Sequence, residues 1–185
     1  VFDSLLAELK KTGGYLVTGE DRAKLKATMW PDGVHLNGKI VAKSAQFIAD
    51  EAGIKIPEGT KFIMVLGEKI GPEDMFSAEK LSVVLTLWKY QEFKQAVQMV
   101  IDITRFSGYG HSCGIHSVND EHILELATKA KVSRMLVRQA QSAGNSGDWV
   151  NGMPFSLSLG CGTWGGNITT ENISVHHFLN VTWLS

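Results

Sequence analysis

Apolar positions along the chain recur with two different periods, and the alternation between them sets the expected fold. Phe2, Leu5, Leu6 and Leu9 fall on one face of a helix that opens the chain. Gly13-Gly14 reads as a break, and Glu20 to Trp30 as a second helix stopped by Pro31. Ile40, Ser44, Phe47, Ile48 and Glu51 trace a third helix, with Gly53 in position to cap its end. Lys61 to Leu66 and Ser82 to Trp88 are short apolar strand candidates. Phe93, Ala96, Val97 and Val100 give the clearest helical face in the sequence. Ser112 to Ser117 then reads as a strand, Asn119 as the cap of a helix running to about Lys131, and Arg134 to Val137 as the next strand.

Strands alternating with helices imply right-handed crossovers. The expected fold is therefore α/β: a three-layer αβα arrangement around a mostly parallel twisted sheet covered on both faces. From Ala140 to Thr170 the chain becomes rich in Gly, Ser and Asn and loses its period. A stretch that long without regular structure is usually functional or disordered, and Trp149, Phe155 and Trp164 argue against disorder. The closing run, Phe178 to Ser185, is β-prone; His176 and His177 at its opening are expected on opposite faces of a strand. Both ends lack the polar, frayed character of ordinary termini, so the sequence reads as a piece of a longer chain.

Composition narrows the function classes. The 185 residues are 44% hydrophobic and 20% charged, as in an ordinary globular protein. The net charge of −1 offers no electrostatic footprint for nucleic acid or for an anionic membrane surface. No apolar run approaches the length of a membrane span. Two cysteines, Cys113 and Cys161, cannot form a disulfide framework, which fits a reducing, cytoplasmic setting.

Three motifs could carry chemistry. Gly160-Cys-Gly-Thr-Trp-Gly165 matches the G-x-G-x-x-G dinucleotide pattern, but that mechanism needs a helix N-terminus directly after it. Gly166-Asn-Ile-Thr-Thr that follows is a poor helix start, so the match fails its own structural requirement. His111, Cys113 and His116 invite a metal assignment; on a strand the two histidines diverge and no second ligand cluster appears, so no metal is expected. Cys161, between two glycines, has no adjacent basic residue to activate its thiol.

Taken together, three segments say more. Phe76-Ser-Ala-Glu79-Lys-Leu81-Ser, Gly108-Tyr-Gly-His111-Ser and Leu157-Ser-Leu-Gly-Cys-Gly-Thr-Trp-Gly-Gly-Asn167 resemble, in order, the aldehyde dehydrogenase superfamily. The last segment is characteristic of its CoA-acylating branch. The resemblance runs from Val1 to Ser185 and implies a catalytic domain over 1–170, cut short at its N-terminus, followed by a segment over 171–185 with the type of strand used in subunit association. It implies NAD or NADP as cofactor, CoA as co-substrate, a small-molecule aldehyde, and a homo-oligomeric parent, a dimer or tetramer. The nucleophilic cysteine of the family would fall shortly before Val1, so neither Cys113 nor Cys161 is expected to be that nucleophile, and this chain alone is expected to be inactive.

Glu79 matches the glutamate that accepts hydrogen bonds from the nicotinamide ribose, with Leu81 beside it where many relatives carry Phe. His111 matches a histidine typical of the acylating branch, where it could take the CoA thiol proton or only position its loop. The segment around Arg138 and Asn145 is most like the acylating sulfoacetaldehyde dehydrogenases. There Arg138 and Asn145 could bind an anionic aldehyde tail; the alternative is an Arg138 paired with Asp148. A non-acylating dehydrogenase that uses water, and a non-catalytic assembly domain of the same fold, are the competing function classes.

Overall fold

The computed structural model describes residues 1–185, and these divide into two compact units, Val1–Gln91 and Glu92–Ser185. Both are α/β, and every strand pairing in them is parallel.

The first unit opens with helix α1 (Phe2–Lys11), strand β1 (Gly14–Leu16) and helix α2 (Gly19–Met29). Helix α3 (Ala45–Ala52), strand β2 (Phe62–Leu66) and strand β3 (Val84–Leu87) follow. The strands lie in the order β1-β2-β3, with Tyr15 opposite Ile63 and Met64 opposite Leu85. Helix α3 begins later than the trace from Ile40 implied: Ile40 closes a separate 3-10 turn, the Ser44 hydroxyl caps α3 by accepting from the Phe47 amide at 3.2 Å, and Gly53 ends it in the left-handed conformation as expected.

Strand β1 is the element that the sequence pattern hid. Gly14 is no break there; a side chain on it would strike the Phe62 ring and the Leu9 carbonyl, so glycine lets β1 run close beside β2. Ile63, Met64 and Val65 of β2 are fully buried, as suits a strand covered on both faces. Leu25, Met29, Ile48 and Phe76 complete this core, with Trp30 meeting the Phe76 ring edge-on at 5.3 Å.

The second unit holds α4 (Phe93–Phe106), β4 (Gly110–Ile115), α5 (Asp120–Lys129), β5 (Val132–Val137) and the short α6 (Gln141–Gly144). Strands β4 and β5 form their own two-stranded sheet, with Ser112 opposite Arg134 and Cys113 opposite Met135. The expected sheet is thus present as two parallel ladders. Glu92 and Gln95 close a reciprocal capping box on α4, and Asn119 caps α5 through the amides of Glu121 and His122. Val97, Ile115, Leu126 and Ala130 form the core between the helices and the strands. No helix of the chain is long and apolar enough to cross a membrane.

Phe76 carries two ring contacts, the second being the Arg22 guanidinium 4.8 Å above its centre. Phe76→Ala is expected to cost the first unit about 3–5 kcal/mol, read as a fall in the urea midpoint at unchanged slope.

Candidate active-site residues

Glu79 and its neighbours belong to the first unit and are placed by a tightly bonded turn. Residues Met75–Ser77 form one turn of 3-10 helix behind Asp74, whose buried carboxylate accepts from Arg22 Nη2 at 2.7 Å and from the Glu68 amide at 3.0 Å. The Phe76 carbonyl then accepts from Thr86 Oγ1 at 2.6 Å and from Lys80 Nζ at 2.9 Å. Lys80 also donates to the Ala78 carbonyl at 2.8 Å. The loop is stitched on either side of Glu79, and the glutamate itself stands exposed.

Leu81 is exposed and adopts a left-handed backbone, with φ at 40°. Its carbonyl accepts from the amide of Ala42, which is itself left-handed. Non-glycine residues hold that conformation only when their surroundings impose it, and here the Ala42–Leu81 hydrogen bond does so.

Lys80 was not anticipated as a special residue. Burial, opposed by the nearby Asp74 and Glu79 charges, lowers its pKa to about 8.

His111 lies in the second unit, near the start of β4, and heads a chain of buried polar groups. Its Nδ1 is 2.8 Å from Ser112 Oγ, and that oxygen accepts from Asn145 Nδ2 at 3.1 Å. The Asn145 carbonyl accepts from Asn172 Nδ2 at 3.0 Å, and Asn172 Oδ1 accepts from Arg134 Nε at 2.7 Å. Arg134 Nη1 donates to the carbonyls of His111 and Gly160, at 3.2 and 2.9 Å. Arg134, Asn172 and Asn145 are only 4%, 5% and 7% exposed. His111 and Asn145 are therefore brought together, joined through Ser112.

Arg134 and Asn172 carry this arrangement, and neither stood out in the sequence. The available signal was Arg134 two positions before Leu136 on a strand, which places a guanidinium on the face that buries Leu136. Reading Arg134 as the first residue of its strand concealed that.

The glycine-rich segment is a packing device. Gly110 (φ 86°) lies so close to the Cys161 carbonyl and the Gly165 amide that no side chain fits. Gly162 (φ 63°) is pressed against Ser133 in the same way. A single 3-10 turn, Thr163–Gly165, follows instead of a helix, so the G-x-G-x-x-G match has no helix terminus to hold a pyrophosphate.

Arg138 sits apart from this network, just past the end of β5. It is exposed, with φ at 55°, and its Nη1 donates to the Ser117 carbonyl at 2.9 Å rather than pairing with Asp148. Beside it, Ser112, Cys113, Gly114, His116, Gln139 and Gln141 line an open depression of about 390 Å³. Burial pushes the Cys113 thiol up to about 11, far from the range of a nucleophile.

The closing segment differs from expectation. Val175–Phe178 is one 3-10 turn, not the start of a strand, and the His176 and His177 rings lie with centres 3.9 Å apart and planes tilted by 35° instead of diverging. With Glu171 they bring three possible ligand atoms within 4.8 Å of one another. His177 Nδ1, however, accepts from the Ser174 amide at 3.0 Å. That nitrogen also lies 3.3 Å from the Ser174 carbonyl, while His176 Nε2 and His177 Nε2 lie 3.1 and 3.5 Å from Glu171. The trio is a cluster closed by its own hydrogen bonds.

No protein-family model matches the chain. Known proteins and solved structures do. The acylating sulfoacetaldehyde dehydrogenase of Bilophila wadsworthia is 52% identical over the whole chain, which covers 41% of that protein. The acetylating succinate-semialdehyde dehydrogenase of Clostridium kluyveri is 40% identical over 98% of the chain. The crystal structure of an acetylating aldehyde dehydrogenase from Geobacillus thermoglucosidasius superposes on 99% of the chain with a TM-score of 0.90, at 32% identity. The chain has the sequence and fold of one portion of the acylating aldehyde dehydrogenases. It spans about two-fifths of the length of the curated relatives it matches.

The lowered pKa of Lys80 gives a signed pH dependence. An unfolded lysine keeps its proton to about pH 10.4, whereas the folded one releases it near 8. Between those values the unfolded chain binds more protons, so this residue adds stability as pH rises. In Lys80→Met, the rise of the first unit's urea midpoint across that window is expected to be smaller than in the natural chain.

Proposed function

We propose that this chain is part of an enzyme that converts an aldehyde, CoA and NAD or NADP to an acyl-CoA and the reduced nucleotide. The observation that carries the reading is the 52% identity to an acylating sulfoacetaldehyde dehydrogenase along all of the chain. Each side chain has a chemical task in it. Glu79, exposed on a loop bonded on both sides, offers a carboxylate that can accept from both hydroxyls of the nicotinamide ribose, with Leu81 alongside. NAD or NADP supplies the hydride acceptor. His111, fixed at the head of β4, serves the step in which the acyl group passes to the CoA sulfur.

The aldehyde is a short, anionic one such as sulfoacetaldehyde. Arg138 supports this: its guanidinium is exposed and spends one hydrogen bond on a backbone carbonyl, leaving donors for a sulfonate or carboxylate. Asn145 is too buried to meet substrate directly and acts through Ser112 on His111. The nucleophilic thiolate comes from outside this chain, because burial holds the Cys113 thiol neutral and Cys161 belongs to the packed glycine segment. Residues 171–185 serve association into a homo-oligomer, for which exposed Phe178, Val181, Trp183 and Leu184 supply apolar surface.

The test is reduction of NAD or NADP by the natural full-length protein with sulfoacetaldehyde, with and without CoA. Acyl-CoA formation that requires CoA is expected; oxidation to the free acid without CoA would establish the water-using class instead. The 185-residue chain alone is expected to give no turnover in the same assay. In the full-length protein, Glu79→Gln is expected to raise KM for the nucleotide, and Arg138→Ala to weaken sulfoacetaldehyde by about tenfold relative to acetaldehyde.

A further inference from the structure

The hydrogen-bond chain ending on His111 decides which ring nitrogen carries the proton. A serine hydroxyl has one proton to give and two lone pairs with which to receive. Ser112 Oγ receives from Asn145 Nδ2, and the other polar partner of that hydroxyl is His111 Nδ1. A serine proton given to Nδ1 satisfies all three groups at once, and it leaves the neutral imidazole with its own proton on Nε2. We infer that Ser112 and Asn145 are positioning residues that hold His111 as the Nε2–H tautomer, so that it meets negative charge as a hydrogen-bond donor instead of removing a proton from the CoA thiol. This rests on the proposed place of His111 in acyl transfer to CoA.

The controlling element is the orientation of the Asn145 amide. For Nε2 to accept a proton, Nδ1 would first have to carry one, and Ser112 would then need a new acceptor. Asn145 Oδ1 is the acceptor the protein itself could offer, but it faces away, buried and without a partner. Turning it toward Ser112 requires a half-rotation of an amide whose residue is only 7% exposed. The backbone that carries this amide is fixed in place, since the Asn145 carbonyl is held by Asn172 and Asn172 by the Arg134 guanidinium. A donor fixed before the reaction begins suits stabilisation of charge on the CoA sulfur or on the oxygen of the tetrahedral intermediate.

The tautomer can be read without any activity. In the chain labelled with 15N-histidine, long-range proton–nitrogen correlation spectra distinguish the two neutral forms, and His111→Gln assigns the signal. The Nε2–H pattern is expected at neutral pH. Asn145→Asp replaces the donor with a group that only accepts, and is expected to move the proton to Nδ1. Ser112→Ala, which keeps the fold if the aspartate variant does not, is expected to leave a mixture of the two forms. An Nδ1–H or averaged pattern in the natural chain overturns the inference, as does a pattern unchanged in both variants. In the full-length protein, Asn145→Asp is expected to slow acyl transfer to CoA by about tenfold or more and to give it a rising limb through the imidazole range. Unaltered transfer with an unaltered pH profile would overturn the positioning role. A natural enzyme that ignores CoA altogether would instead overturn the proposed function, and the spectra would still decide the tautomer.

Discussion

A buried guanidinium without a carboxylate organises the second unit. Arg134 is 4% exposed, and its hydrogen bonds go to the Asn172 side chain and to the carbonyls of His111 and Gly160. Removing such a charge from water is costly unless its donors are satisfied. The chain brings polar groups to Nε and Nη1, while Nη2 stays buried without a partner. One donor reaches back along β4, one reaches the glycine-rich segment, and one reaches across 38 residues of sequence to Asn172. The segment from Gly160 onward, which leaves much of its apolar surface exposed, is thereby tied to the two strands.

The glycines make that tie possible by removing bulk where backbones must meet. At Gly110 and Gly162 the positive φ and the lack of space coincide, so two independent restrictions select the same residue. A motif that looks like a phosphate loop in one dimension is, in three, a clasp between strand ends.

Much of this was legible in the sequence, for reasons that can be named. The helices α3, α4 and α5 announced themselves through apolar periodicity, helped by Gly53 at the end of α3 and Asn119 at the start of α5, which are signals contained within a few residues. Strands β2 to β5 were visible as short apolar runs. Strand β1 was not, because its decisive feature is the space beside Gly14, set by Phe62 from far along the chain. The final turn misled for the opposite reason: β-branched and aromatic residues suggested a strand, while Ser174 and His177 close a capping box that bends the backbone. Of the candidate site, His111, Glu79 and Arg138 were singled out by resemblance. The supporting Arg134, Asn172 and Lys80 were not, since their importance lies in burial and in partners that no local pattern encodes.

The link between Ala42 and Leu81 couples distant parts of the first unit. Both residues hold a left-handed backbone, and one hydrogen bond joins them. The turn at residues 38–43 is thus a lever on the loop that presents Glu79. Sequence drift in that turn would change how Glu79 is presented to solvent without touching the glutamate itself.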